Sequence, residues 1–89
     1  MKQYLMKLFI AGDSPRSERA IFNLETLCNR AMTNDYEIII VDVLEQPRLA
    51  EEEKILATPT LIKIAPNPTR RIIGDLSDQD KVLRLLGVQ

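Results

Sequence analysis

Histidine is absent and cysteine occurs once, as Cys28. Without imidazole there is no histidine general base, no Ser–His–Asp triad and no histidine metal ligand. A lone thiol can form neither an internal disulfide nor a CxxC redox pair. Glycine is scarce too, and Gly12, Gly74 and Gly87 are too scattered to build a phosphate-cradling loop. Neither sign of charge is in surplus, because 12 basic side chains face 13 acidic ones for a net charge of −1. Broad nucleic-acid binding needs a basic excess that releases counterions, so nucleic acid is not an expected partner; nor is a polybasic membrane-surface role. No apolar run reaches the ~18 residues of a membrane span. Met1–Ile10 carries lysines in its apolar stretch and no small-residue cleavage site, so no secretory signal is read there. The expected compartment is the cytoplasm, where a lone thiol stays reduced.

What is present is an ordinary globular composition, 89 residues with 45% hydrophobic and 28% charged side chains, read as one domain over residues 1–89. Tyr4–Ile10 is mostly apolar and predicts a strand with much of both faces covered. Ser14 before Pro15, with Glu18 in the first turn, predicts a capped helix. Its apolar stripe is Ala20, Leu24, Leu27, Cys28 and Ala31, widened by Ile21 and Phe22, and Asn34-Asp35 marks its exit. Tyr36–Leu44 is β-branched and nearly continuous, which predicts a buried strand parallel to the first, reached by a right-handed crossover. Pro47 predicts the start of a short helix through Arg48–Leu56, with no strong face to bury. Leu61–Ala65 and Arg70–Ile73 predict a hairpin about Pro66-Asn67-Pro68. Ser77 and Asp80 suggest a capping box for a last helix containing Val82, Leu83, Leu85 and Leu86, closed by Gly87.

No constellation in this chain carries chemistry. Cys28 on an apolar helical stripe reads as a small buried hydrophobe. Glu51-Glu52-Glu53 point in different directions on a helix and form a solvated face rather than a cation site. Arg70 and Arg71 are adjacent in a strand and face opposite sides. The expected assignments are no enzyme activity, no cofactor and no metal.

The α/β order βαβαββα, with Pro59 just before the third strand, resembles the thioredoxin-like arrangement, in which that proline is typically cis. In redox members of that fold a nucleophilic cysteine opens the first helix; here the site reads Gly12-Asp13-Ser14-Pro15-Arg16-Ser17.

PRLAEEEKILATPT (Pro47–Thr60), RRIIGDLSD (Arg70–Asp78) and Lys81-Val82-Leu83 closely resemble the KaiB family of circadian clock proteins. MKLFIAGDSPRSERA (Met6–Ala20) looks like the same family's first strand, turn and helix. The resemblance implies a non-enzymatic timing adaptor that binds the N-terminal ATPase lobe of a KaiC-like hexamer and regulates its phosphorylation cycle. KaiA or a clock histidine kinase are further implied partners, and self-association as a dimer or tetramer is a family property. A KaiB-like sensor module of a two-component or stress-response pathway is the alternative. The family is metamorphic, so βαβαββα describes the binding-competent monomer, and a resting fold of order βαββααβ would rebuild the C-terminal half. Two packings of one sequence need differ by only a few kcal/mol. Arg19, Lys54 and Arg71 match basic positions of the family's KaiC-facing surface. Pro59, Pro66 and Pro68 match the region that switches, where prolyl isomerisation takes tens of seconds or longer. Asn67 departs from a proline triplet common in cyanobacterial members. The sequence also stops at Gln89 without the family's acidic tail. Both features depart from what a tetramer and a slow, clock-like switch would lead one to expect, and they lend KaiA binding no support.

Overall fold

A computed structural model describes residues 3–32 and 35–88. Asn34, expected at the helix exit, lies outside the described residues. The elements are β1 (Tyr4–Ile10), α1 (Pro15–Ala31), β2 (Tyr36–Asp42), α2 (Pro47–Glu52), β3 (Thr60–Ala65), β4 (Arg70–Ile73) and α3 (Gln79–Leu86), in the βαβαββα order. They form one four-stranded sheet ordered β2-β1-β3-β4, with β2 parallel to β1 and both later pairs antiparallel.

The pleat of β1 distributes the core between the two sheet faces. Met6, Leu8 and Ile10 face α1 and α3, where they join Ala20, Leu24, Leu27, Cys28, Leu61, Ile72, Val82 and Leu86. Phe9 points the other way, to Val41 and Ile62, with Leu49 and Ile55 of the α2 segment packed on them. The first turn is held by polar groups. Ser14 caps α1 by accepting from Ser17 N–H. Asp42 Oδ1 accepts from the backbone N–H of Gly12 at 2.9 Å and of Leu44 at 3.0 Å, tying the ends of β1 and β2 together.

Several sequence expectations need correction. Tyr36–Leu44 reads as a buried strand, but β2 ends at Asp42 and lies at a sheet edge. Only Val41 is fully buried in it, and Ile39 and Ile40 are 38% and 46% exposed. A continuous β-branched run reports strand propensity, whereas burial depends on covering neighbours, and β2 has one strand neighbour. Phe22 does not widen the buried stripe of α1; it points to solvent, since its position lies outside the arc that meets the sheet. Asp78, not Ser77, caps α3, its carboxylate accepting from Lys81 N–H at 3.2 Å. Ser77 N–H is engaged by the Asp75 carboxylate instead. The peptide bonds preceding Pro59, Pro66 and Pro68 are all cis. Pro59 is buried at the entry to β3, and its carbonyl accepts from Gly74 N–H at 2.9 Å.

Candidate partner interface

Helix α2 buries no side chain, so its end is fixed mainly by backbone hydrogen bonds. Lys54 N–H donates to Glu51 O at 3.1 Å and Ile55 N–H to Ala50 O at 2.9 Å. These are the two bonds of a Schellman termination, with Ile55 turned back onto the cluster that includes Leu49. The motif places one residue in the left-handed region, usually glycine because a Cβ is disfavoured there. Here that residue is Lys54, at φ 55°. An L residue held in this conformation makes Lys54 a functional candidate, independently of any resemblance.

Arg71 extends from β4 to the same place. Its Nη2 donates to the backbone carbonyl of Glu53 and lies 3.7 Å from Glu53 Oε2, clipping the end of α2 to the outer strand. Ile73 follows two residues later and shares Arg71's face. Lys54, Leu56, Thr60, Arg71 and Ile73 surround an open depression of about 350 Å³. Leu56 is 96% exposed and Ile73 68% exposed, so two large apolar side chains stand in water beside two cations. A desolvated apolar centre with a charged rim is the anatomy of a protein-binding patch.

Arg19, the third basic candidate, is engaged elsewhere. Its Nε lies 3.4 Å from Asp75 Oδ2, and Asn23 Nδ2 donates to Asp75 O at 2.8 Å, so α1 grips the β4–α3 connection. Hydrogen bonds from Ser77, with a smaller contribution from Arg19, hold the Asp75 carboxyl below its ordinary pKa. Lys54 and Arg71 thus form one site, while Arg19 holds the opposite layer to the sheet edge. The prolines are divided too: Pro59 opens β3, and Pro66 and Pro68 form the β3–β4 turn.

Sequence patterning singles out neither Leu56 nor Ile73 directly. Ile73 follows from the two-residue strand period once Arg71 is placed on that face. Leu56 sits among turn residues where no periodicity applies.

The described residues offer little redox or metal chemistry. Cys28 is buried, and burial, reinforced by nearby Glu25, pushes its thiol up to about 11. Among the described residues no group of three or more Cys, Asp or Glu side chains is placed to hold a metal ion, and no helix is long and apolar enough to cross a membrane.

Fold and site together define a thioredoxin-like α/β protein whose first-helix turn carries Ser14 and Pro15 in place of a redox pair and whose sheet edge carries a mixed apolar and cationic patch. Among solved structures, the N-terminal domain of Synechococcus elongatus SasA superposes with a TM-score of 0.79 at 24% identity, covering 98% of this chain and 86% of that one. Mitochondrial thioredoxin 3 from Saccharomyces cerevisiae gives 0.73 at 21% identity, over 94% of this chain and 76% of that one. Residues 7–88 match the KaiB domain. The circadian clock oscillator protein KaiB of Prochlorococcus marinus subsp. pastoris is 55% identical over 82 residues, 92% of this chain and 77% of the relative. That of Gloeothece citriformis is 52% identical over 82 residues, with the same coverage. The chain belongs to the KaiB family of circadian clock proteins.

Proposed function

We propose that this chain is a timing adaptor that docks on the N-terminal ATPase lobe of a KaiC-like hexamer and regulates its phosphorylation cycle. The observation that carries the reading is the placement of Lys54. The chain holds a lysine where a helix end ordinarily has glycine, and sets it beside Arg71, Leu56 and Ile73 on one open surface. Cations at such a rim steer encounter and set register, while the exposed apolar pair supplies area to bury. An acidic surface on the ring's ATPase lobe is the expected counterpart. Arg19, on α1 beside Asp75, belongs to this reading as a second contact point. KaiA or a clock histidine kinase would be a further partner of the assembled complex.

Regulation through a change of fold completes the proposal. The βαβαββα arrangement is the binding-competent state, and a βαββααβ resting arrangement, open to self-association, would withdraw the Lys54–Arg71 surface by rebuilding β4 and α3. Sequence identity above 50% to circadian clock oscillator proteins KaiB favours the adaptor over a detached sensor module.

The test is affinity for an immobilised KaiC ring in the presence of ATP. Nanomolar to micromolar binding that falls on charge reversal at Lys54 supports the adaptor role. Binding insensitive to Lys54 and Arg71 removes this surface from it.

A further inference from the structure

A second basic cluster lies on the other sheet face, away from the Lys54–Arg71 patch. Lys63 of β3 and Arg70 of β4 are direct cross-strand partners. Like charges placed opposite one another in an antiparallel pair repel, so this pairing works against the hairpin that contains it. Arg84 approaches from the last turn of α3, and Lys63, Arg70 and Arg84 line a groove of about 340 Å³ together with Pro68, Leu85 and Gly87. Among the described residues no carboxylate lines this groove. Lys63 is 3% exposed, and its ammonium donates to a neutral carbonyl, Leu86 O, at 3.0 Å. Arg19, Arg30 and Arg71 each have an acidic partner, but Arg70 and Arg84 have none among the described residues. In a chain of net charge −1, three cations gathered without a counter-charge among the described residues are not a consequence of composition.

We propose that this groove binds an acidic peptide segment of a partner protein, whose carboxylates supply the counter-charge to Lys63, Arg70 and Arg84. Three features favour an extended peptide over a small anion. The groove opens beside β4, the outermost strand, whose free edge offers unpaired backbone N–H and C=O groups for an added strand. Its walls include Pro68, which is exposed, and Leu85, 39% exposed, giving the peptide apolar stems to cover. The guanidinium groups of Arg70 and Arg84 match carboxylates in bidentate geometry. Because Arg70 and Arg71 point to opposite sheet faces, this site and the Lys54–Arg71 surface can be filled together, and the inference does not depend on the adaptor reading.

The experiment is fluorescence anisotropy of a short fluorescein-labelled peptide of alternating glutamate and valine, titrated with the full chain. Wild type should bind, added salt should weaken binding, and Arg70→Gln with Arg84→Gln should reduce affinity about tenfold or more. Both arginines are exposed, so the double variant keeps its fold, checked by circular dichroism. Arg48→Gln, in α2 and outside the groove, should bind like wild type. Equal affinity in the groove variant, or an equal loss in Arg48→Gln, would overturn the site. Inorganic pyrophosphate displacing the peptide at equal concentration would overturn the peptide as its occupant.

Discussion

Lys54 and Gly87 occupy the same backbone position at the ends of two different helices. Gly87, at φ 79°, closes α3 with bonds from its own N–H to Arg84 O and from Val88 N–H to Leu83 O. Lys54, at φ 55°, closes α2 with the equivalent pair of bonds. One end therefore uses the residue that backbone sterics favour and the other uses a charged side chain despite them.

Replacing Lys54 by glycine separates backbone from side chain. Lys54→Gly should leave stability unchanged or raise it by up to ~1 kcal/mol, because the left-handed conformation carries no Cβ penalty in glycine. Affinity for the ring should fall in the same variant. Urea denaturation reads the first effect and ring binding the second; a clear loss of stability would mean that the Lys54 side chain supports the fold.

Charge reversal and apolar truncation test the rest of the surface. Lys54→Glu and Arg71→Glu should each weaken ring binding about tenfold or more, mainly through slower association. Arg71→Glu should also lower stability slightly, by about 0.5–1 kcal/mol, since it loses the half-exposed clip to Glu53. Leu56→Ser should weaken the complex and leave the urea midpoint unchanged, because Leu56 touches little of its own chain. Surface plasmon resonance on the immobilised ring separates the rate effects.

The ammonium of Lys63 holds the last carbonyl of α3, complementing the negative end of the helix as well as satisfying Leu86 O. Burial, and secondarily the charge of Arg70, lower its pKa. Lys63→Met should expose the unsatisfied carbonyl and destabilise the protein by about 1–2 kcal/mol, with faster amide hydrogen exchange concentrated in Val82–Leu86. Uniformly faster exchange would assign Lys63 a global role instead. A lowered pKa also fixes a pH trend. The folded state gives up this proton before the unfolded chain does, so the penalty of the buried charge is relieved between the depressed value and 10.5, and that contribution to stability rises with pH.

Cys28 acts with the opposite sign. Its thiol ionises near 9.0 when solvated and about 11 in the folded protein. Its contribution is intact below pH 9.0 and lost as pH rises through that interval, amounting to about 2–3 kcal/mol at ~1.4 kcal/mol per pH unit. Cys28→Ala should flatten this part of the stability–pH curve while lowering the whole curve by about 1 kcal/mol for the lost packing. Thiol titration with an aromatic disulfide should be slow in the native state; a fast reaction would contradict the buried assignment.

Much of the fold was legible because its signals are local. Ser14-Pro15 fixed the start of α1, Gly87 the end of α3, and Pro66-Asn67-Pro68 the hairpin. What remained hidden depends on neighbours far along the chain. Ile39 and Ile40 read as core until strand order puts β2 at the edge, and Ser77 reads as a cap until Asp75 engages its N–H. The site divides in the same way. Lys54 and Arg71 came from residue matches, but their convergence required α2 to end against β4. Leu56 and the left-handed backbone of Lys54 carry no one-dimensional signature, and neither does the cross-strand opposition of Lys63 and Arg70.

The most direct measurement is size-exclusion chromatography with multi-angle light scattering, on the chain alone and after incubation with a KaiC hexamer and ATP. A complex that co-elutes with the hexamer is expected, with added mass lost or strongly reduced when Lys54→Glu and Arg71→Glu are combined. A free monomer that joins the ring rapidly would indicate a chain already in the binding-competent arrangement, and a tetramer that joins slowly would indicate a change of fold on the way. A wild-type chain that elutes apart from the hexamer after prolonged incubation, in every nucleotide state, would contradict the adaptor role.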